Sequence, residues 1–372
     1  MKKLVLLLLC PMLLLAGCGP LYTKRQEVEQ LKLMETLGLD PAPEGVLVTL
    51  AASSGVGEGE AQCYSIVGAS VSDALQRLQE RSLADTLFCG HLQHILLGQK
   101  QAEEGLEGFL AYVCRSSDVR LDLPVYLLLD GSAQQAMTAT GQGDKGIADA
   151  LEALGLARED GPRLSTAGTI LRDLESRGSA LVRTLRLLPA AEEGEDAAQT
   201  VAPEGYAVLI GGRLADRIGP EEAVAVALLT GTLRPTPLVL ELTGGRRVTL
   251  ELEEGSLDLV PHWDGEGKLE CLELSLRVRA MVLELDGFDQ LADEAARNAL
   301  TARLEEELSR RVGTVLQLSR NLEADFLGLG SRVELASPLR GRGMSRDLGP
   351  LLPELRFSVS IQGELSHSND MN

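Results

Sequence analysis

The sequence is poor in aromatic and histidine side chains. Its 372 residues include one tryptophan, five tyrosines, five phenylalanines and four histidines. So few aromatic rings argue against an aromatic-lined ligand cage or a sugar-binding platform. Histidine is the commonest general base in catalysis, and the four present, at positions 91, 94, 262 and 367, offer few possible triads. We therefore expect no enzyme activity.

The chain also lacks an excess of positive charge. It carries 35 Lys and Arg residues against 55 Asp and Glu residues, a formal net charge of −20. A chain this acidic is repelled by phosphate backbones and by anionic lipid headgroups. The composition excludes the usual electrostatic route to nucleic acids, and it requires that any link to a membrane use a lipid rather than a basic patch.

The N-terminal apolar run is too short for a permanent transmembrane helix. Residues 4–15 form a 12-residue run that Pro11 interrupts, whereas crossing a bilayer takes about 20 apolar residues. Lys2 and Lys3 precede the run and small residues follow it, the arrangement of an export signal. We predict that residues 1–17 are a signal peptide, whose removal shifts the net charge from −20 to −22.

Leu15-Ala16-Gly17-Cys18 stands at the end of this run and resembles the bacterial lipobox. In that motif the cysteine thiol receives a diacylglycerol, and the signal is cut just before the cysteine. One acyl chain holds a protein only marginally, and two or more anchor it stably. We therefore predict a lipid anchor on Cys18. The alternative is an ordinary secretory signal with an incidental cysteine.

Four cysteines follow the lipobox at wide and irregular spacings: Cys63, Cys89, Cys114 and Cys271. A chain of this size does not need a disulfide framework to fold. We expect four buried small residues, with a disulfide among the first three as the alternative.

Composition and periodicity predict a multi-domain α+β protein, with mixed or antiparallel sheets on which helices pack. We expect an N-terminal α/β domain over residues 18–189, a middle α+β domain over 205–260 and a C-terminal α+β domain over 261–372. An acidic linker should join the first two domains over residues 190–204, since this stretch has little to bury.

Within the N-terminal domain the pattern predicts several elements. We expect a helix or turn over residues 25–39 leading into a strand, one strand over 87–97, a helix over 101–114 and a buried strand over 125–129.

The C-terminal domain has the clearest pattern. Residues 272–282 alternate between apolar and polar side chains, which predicts a long strand with one buried face. Residues 290–321 predict a long helix, which should lie on that face. Its apolar stripe consists of Leu300, Leu304, Leu308, Val312 and Leu316.

Three segments superficially suggest chemistry. On a strand, Cys89 and His91 would face one way and His94 the other, so they would not converge on a metal ion. Residues 141–146 match a dinucleotide fingerprint, but no strand directly precedes them. Residues 305–307 are three consecutive glutamates, which we interpret as a solvated helix face. We predict no metal site, no cofactor and no catalytic residue.

One segment after the long helix carries a recognisable pattern. Asp325-Phe326-Leu327-Gly328-Leu329-Gly330 resembles the D-I-F-G-F-G motif of the Ger(x)C family of spore germination lipoproteins. The two glycines, Gly328 and Gly330, would let the chain turn off the helix where side chains would clash. Either a structural role or a partner contact would fit Asp325, Phe326, Gly328 and Gly330.

Further stretches resemble this family in the same order along nearly the whole chain. They are residues 25–31, Leu37 to Asp40, His94 to Gly98, Arg115 to Arg120, and Gly205 to Val208. One departure is the segment after the D-I-F-G-F-G motif. The family usually carries a tryptophan there, whereas Ser337-Pro338-Leu339-Arg340 leads into residues without an aromatic side chain. A partner contact relying on that aromatic ring would be altered.

The resemblance implies a non-catalytic subunit of a nutrient germinant receptor, lipid-anchored on the outer face of the spore inner membrane. It implies two membrane-embedded partners, an A-type and a B-type receptor subunit, and a role in receptor assembly and in triggering germination. The alternative is an extracytoplasmic solute-binding lipoprotein of a transporter, which would have two similar α/β lobes around a cleft.

Overall fold

The structure, a computed structural model, describes residues 31–52, 62–82, 86–116, 119–140, 146–154, 165–189, 199–242, 244–285 and 294–366. The strands in these ranges are β1 (Leu31–Ala42), β2 (Gly45–Ala52), β3 (Cys63–Gly68), β4 (Thr86–Phe88), β5 (His94–Gly98), β6 (Val125–Leu129), β7 (Ser179–Pro189), β8 (Gln199–Ile210), β9 (Arg213–Ile218), β10 (Thr236–Glu241), β11 (Arg247–Trp263), β12 (Leu269–Leu285) and β13 (Arg356–Ser366). The helices are α1 (Val71–Arg81), α2 (Gln99–Glu104), α3 (Glu107–Arg115), α4 (Ala133–Ala139), α5 (Ile147–Ala153), α6 (Ala167–Arg177), α7 (Pro220–Thr230), α8 (Glu294–Asn321), α9 (Leu329–Ala336) and α10 (Met344–Leu351).

The N-terminal half forms a large mixed sheet. Among the described residues its strand order is β3-β2-β1-β5-β6-β7-β8-β9, with β4 beside β1. Strands β1, β5, β6 and β7 run parallel to one another, while β2, β3, β8 and β9 are antiparallel to their neighbours. The parallel centre requires crossovers, which the intervening helices provide.

Both faces of this sheet are covered. Every residue of β6 is buried, which confirms the buried strand predicted over 125–129. Val125 and Leu127 belong to a core shared with α1, α3 and α6, whereas Tyr126 and Leu128 belong to a core shared with α4 and α5. The sequence of a strand that is buried on both faces is a continuous apolar run, and β6 has such a sequence.

The second sheet has the order β10-β11-β12-β13. Strands β10 to β12 are antiparallel, but β13 is parallel to β12, because the chain returns through α8, α9 and α10 before adding its last strand. The predicted stripe on α8, Leu300 to Leu316, is buried as expected. The first residues of the predicted long helix, 290–293, lie outside the described residues.

Helix α7 connects the two sheets. Val224, Val226 and Leu228 are all buried, so the helix is covered around much of its circumference. It belongs to a core that also contains Tyr206 and Val208 of the large sheet and the inner face of the second sheet. The two sheets therefore share one continuous hydrophobic core.

Three local predictions differ from the structure. Residues 31–39 belong to strand β1 rather than to a helix or turn, because pairing with β2 and β5 buries Leu37 and Leu39. The strand predicted over 87–97 is two strands, β4 and β5, separated by a 3-10 turn at Cys89–His91. The helix predicted over 101–114 is two helices, because Gly105 has a φ of +127° that no helix can contain.

Two of the expected domain boundaries fall within strands of the structure. Residues 199–204 of the predicted linker belong to β8, which pairs with β7 from Ile210 to Gln199, while residues 190–198 lie outside the described residues. The boundary expected between residues 260 and 261 falls inside β11, whose pairing with β12 continues to Trp263. In both places the chain continues as a paired strand, and the sequence pattern does not reveal that pairing.

Shortening Leu304, fully buried between α8 and the second sheet, should destabilise the protein strongly. We expect Leu304→Ala to lower the free energy of unfolding by about 2–5 kcal/mol, because it leaves a cavity. The matched control is Leu339→Ala, at an exposed leucine, which should change that free energy by less than about 0.5 kcal/mol. Urea unfolding followed by circular dichroism measures both, and equal effects would contradict the assigned core.

Candidate functional site

The predicted lipidation site precedes the described residues. Leu15, Ala16, Gly17 and Cys18 come before Leu31, where the described chain and strand β1 begin. The lipobox therefore stays a prediction from the sequence.

The turn from Asp325 to Gly330 joins α8 to α9 and is the best-defined candidate site. Asp325 is 1% exposed. Its Oδ1 accepts a hydrogen bond from the Leu329 amide and its Oδ2 one from the Gly330 amide, both at 2.8 Å. These amides lie in the first turn of α9, where no helical carbonyl is available to them. The buried carboxylate thus caps α9.

The other motif residues are also buried and serve the same turn. Phe326 lies in the core of the second sheet. Gly328 has a φ of +74°, a left-handed conformation that favours glycine. At Gly330 a Cβ would overlap the carbonyl oxygen of Met344, the first residue of α10. The motif therefore holds α8, α9 and α10 together.

The turn lies against Arg177, the last residue of α6 in the N-terminal half. A Cβ on Gly328 would lie 2.6 Å from Nη1 of Arg177. Nη2 of Arg177 donates to Oδ2 of Asp173 at 2.5 Å, and its Nε donates to the Ser179 carbonyl at 3.3 Å. Helix α10 packs against α6 at the same place. We call this meeting of α6 with the Asp325–Gly330 turn the junction.

Burial dominates the electrostatics of the junction. It raises the pKa of Asp325 from 3.8 to about 6, while the Gly330 amide and the positive charge of Arg177 act in the opposite direction. Burial also raises the pKa of Asp173, and the ion pair with Arg177 opposes that shift. A carboxylate that accepts from amides with both oxygens is suited to fixing a helix end.

A second aspartate does the same work in the N-terminal half. Asp40 is buried at the end of the Leu37–Asp40 stretch, and its two oxygens accept from the amides of Ala133 at 2.8 Å and Gln134 at 2.9 Å. It thereby caps α4 across the sheet. Gly98 makes this possible, because a Cβ there would overlap Oδ1 of Asp40.

The histidines and cysteines that the structure describes do not assemble a site. Cys89 and His91 lie in the 3-10 turn rather than on the predicted strand. His94 is buried with its ring centroid 6.1 Å from that of Tyr126, and burial lowers its pKa to about 4. Within the described ranges, no group of three or more His, Cys, Asp or Glu residues could hold a metal ion.

The cysteines are less buried than expected. Cys63 and Cys271 are partly buried free thiols, and Cys89 is also partly buried. Cys114 is an exposed free thiol on α3, so the prediction of a buried residue is wrong there, because its position on α3 faces away from the sheet.

The three glutamates at 305–307 are not simply a solvated face. Glu307 is 9% exposed and accepts from Nη2 of Arg310 at 2.7 Å and Nε of Arg311 at 2.8 Å. These bonds, Arg310 first, lower its pKa to about 2. Glu305 accepts from the amide of Gly363 on β13 at 2.8 Å. Glu305 ties α8 to β13, and Glu307 is held by arginines of α8 itself, which corrects the expectation of a merely solvated face.

Comparison with known proteins fits this architecture. A family model described as "Spore germination protein N-terminal domain" matches residues 24–187, and one described as "Spore germination B3/ GerAC like, C-terminal" matches residues 204–368. The chain belongs to the GerAC family of spore germination proteins. Membership confirms the resemblance to the Ger(x)C proteins and makes the chain a C-type germinant receptor subunit.

A solved structure shows the same fold. The crystal structure of the GerBC protein matches this GerAC protein with a TM-score of 0.59 and 16% identity, over 88% of this chain and 96% of that chain. The comparison with curated proteins found no match.

Two features of this GerAC protein bear on the alternative function and on the membrane. The described residues form a nine-stranded and a four-stranded sheet, not two similar lobes, so the structure does not favour a solute-binding protein. Among the helices that the structure describes, none is long and apolar enough to span a bilayer.

The sequence pattern indicated the residues of the turn but not Arg177, which lies against it. Asp325, Phe326, Gly328 and Gly330 form the turn itself, whereas Arg177 went unnoticed. The only local signal at Arg177 is its place in the last turn of a helix, before Gly178. Nothing in the linear pattern connects it with Gly328, because the two are brought together only by the fold.

The raised pKa of Asp325 predicts a pH-dependent stability. The folded protein binds a proton there more tightly than the unfolded chain, since its pKa is about 6 rather than 3.8. Lowering the pH from about 7 to about 4 should therefore add up to about 3 kcal/mol to the free energy of unfolding through this group. Asp325→Asn should lack that contribution. Urea unfolding of both proteins across this range measures it, and identical pH slopes would contradict the burial of an acid here.

Adding one methyl group at Gly330 should loosen the contact between α9 and α10. We expect Gly330→Ala to destabilise the protein by about 1–3 kcal/mol, because the backbone of Met344 has to move. Gly313→Ala is the matched control, since a Cβ there meets nothing within 4 Å in the interior of α8. The control should be neutral or stabilising by up to about 1 kcal/mol. Thermal unfolding of both variants measures the effects. A lower unfolding temperature for Gly313→Ala than for Gly330→Ala would refute the packing described.

Proposed function

We propose that this GerAC protein is a lipid-anchored, non-catalytic subunit of a nutrient germinant receptor on the outer face of the spore inner membrane. There it takes part in receptor assembly and in triggering germination. The observation that carries the proposal is the pair of family matches, which together cover residues 24–187 and 204–368.

The anchor is the diacylglycerol on Cys18. Thirteen residue steps separate Cys18 from Leu31, where strand β1 begins, and a fully extended chain of that length spans at most about 45 Å. A folded body on so short a tether stays close to the bilayer. The small residues Ala16 and Gly17 before the cysteine support lipobox processing.

The partners are an A-type and a B-type receptor subunit. Asp325, Phe326, Gly328 and Gly330 are used within the protein, to cap α9 and to admit Arg177 and Met344. We therefore assign the motif a structural role and place the partner contacts on other surfaces.

A non-catalytic role fits what the titratable groups do. His94 is packed against Tyr126, Glu307 is held by two arginines, and Asp325 is held by backbone amides. Burial accounts for the shifted pKa of His94 and of Asp325, and hydrogen bonds from arginines account for that of Glu307. Their altered pKa values therefore need no catalytic explanation.

Deleting the gene tests the function. In a strain without a second nutrient receptor, spores that lack this protein should fail to germinate with nutrients, while they still germinate with a stimulus that bypasses nutrient receptors. The wild-type gene should restore the response. A Cys18→Ala protein should leave the membrane fraction and fail to restore it, because the thiol that carries the lipid is gone.

Cys114→Ala is the matched control, since it removes an exposed thiol and leaves the lipobox intact. It should fractionate with the membrane and restore germination. Normal nutrient germination of the deletion strain would refute the receptor function. Membrane association of the Cys18→Ala protein with full restoration would refute the anchor alone.

A further inference from the structure

The end of α9 and the loop that follows it expose two leucines. Leu335 is 81% exposed and Leu339 is 96% exposed, the highest values among the large apolar side chains that the structure describes. The Ser337 amide donates to the Val333 carbonyl and the Gly341 amide to the Ser337 carbonyl. These two bonds hold the segment after Ala336, the last residue of α9, close to the end of that helix. We call residues 335–346 the leucine–arginine loop.

Three exposed arginines follow the leucines in the loop. Arg340, Arg342 and Arg346 are exposed, and none has an ion-pair partner among the described residues. Glu334, the nearest acid before the loop, accepts from the amides of Gly343 at 2.9 Å and Ser345 at 3.0 Å. Asp347 follows the loop, and its carboxylate lies beside Gly343. Three arginines against these two acids still leave a small local excess of positive charge in a chain whose formal net charge is −20.

The loop has a defined shape, which keeps the leucines exposed. The two bonds to Glu334 fold it back onto α9. At Gly341 a Cβ would lie 2.7 Å from the Val333 carbonyl oxygen, so the loop backbone is in close contact with the helix. Large apolar side chains exposed on an ordered surface are typical of an interaction site.

The tether enters at the same end of the large sheet. Gly38, Leu96, Tyr126 and Arg183 are in register across four parallel strands, so β1 and β7 both begin at one edge. The starts of β1 and β7 are three strand spacings apart across the sheet, about 14 Å, and β1 starts three residues, about 10 Å, further out along the strand direction. Arg177, two residues before β7, touches Gly328, and α9 follows directly. The junction therefore brings the loop to the edge at which the chain from Cys18 arrives.

We propose that the leucine–arginine loop docks on an anionic lipid bilayer. Leu335 and Leu339 would enter the interface between headgroups and acyl chains, with Arg340, Arg342 and Arg346 against lipid phosphates. Surface charges interact over about 8–10 Å in physiological salt, so the three arginines, set against Glu334 and Asp347, count for more than the acids elsewhere in the chain. This inference rests on the proposed lipid anchor only for which side of the protein faces the bilayer.

Vesicle binding of an unanchored chain tests this contact separately from the anchor. The protein is made without residues 1–17 and with Cys18→Ser, which keeps every described residue. It should float with vesicles of phosphatidylcholine and phosphatidylglycerol, and much less with phosphatidylcholine alone. Arg340→Gln, Arg342→Gln and Arg346→Gln together should lower the partition coefficient on the order of 100-fold, at about fivefold for each arginine.

Leu335→Gln with Leu339→Gln should lower the partition coefficient by about tenfold or more. The matched control is Val239→Gln with Leu283→Gln, two exposed apolar side chains of the second sheet, which should leave it unchanged. Circular dichroism confirms that each variant is folded. Equal binding to neutral and anionic vesicles, or equal losses in loop and control variants, would overturn the proposal and assign the loop to a protein partner.

Discussion

The buried carboxylate of Asp325 is the interaction on which the order of the C-terminal half depends. It binds the first amides of α9, directly after the long helix α8, and so determines where the chain turns. Helices α9 and α10 then carry the chain back to the second sheet, where β13 adds parallel to β12. The same turn admits Arg177 from α6, and the two halves of the molecule meet there.

Burying a carboxylate costs free energy unless its oxygens are hydrogen-bonded. This protein meets that condition twice in the same way: Asp325 caps α9, and Asp40 caps α4. In both places a glycine leaves room, Gly330 for the backbone of α10 and Gly98 for the carboxylate itself. Residues that resemble a family pattern can therefore be explained by how the chain folds, without a partner that touches them.

The net charge of the whole chain does not predict the charge of each part of its surface. The formal charge of −20 suggests repulsion from any anionic bilayer. The leucine–arginine loop has a small local excess of positive charge instead, close to the start of β1, where the proposed tether from Cys18 would reach the folded body. For a receptor subunit held at a membrane, such a surface would set its orientation, whereas a lipid tether alone only sets its distance.

Sequence patterns predicted what depends on neighbours along the chain. The alternation in β12 and the stripe on α8 decide which faces are buried, and the all-apolar run of β6 predicts a strand covered on both sides. The lipobox and the D-I-F-G-F-G resemblance are likewise contiguous stretches. The pattern does not predict the break between α2 and α3 at Gly105, because the residues on both sides of this glycine are typical of a helix.

The sequence by itself determined the fold class, the family and the residues of the turn, because each is written in consecutive or regularly spaced positions. Only the tertiary structure decided that Arg177 meets Gly328, that Glu305 meets Gly363 of β13, and that the start of β1 and the junction share one edge. Those contacts join residues far apart along the chain, and contacts of that kind leave no periodic pattern from which to predict them.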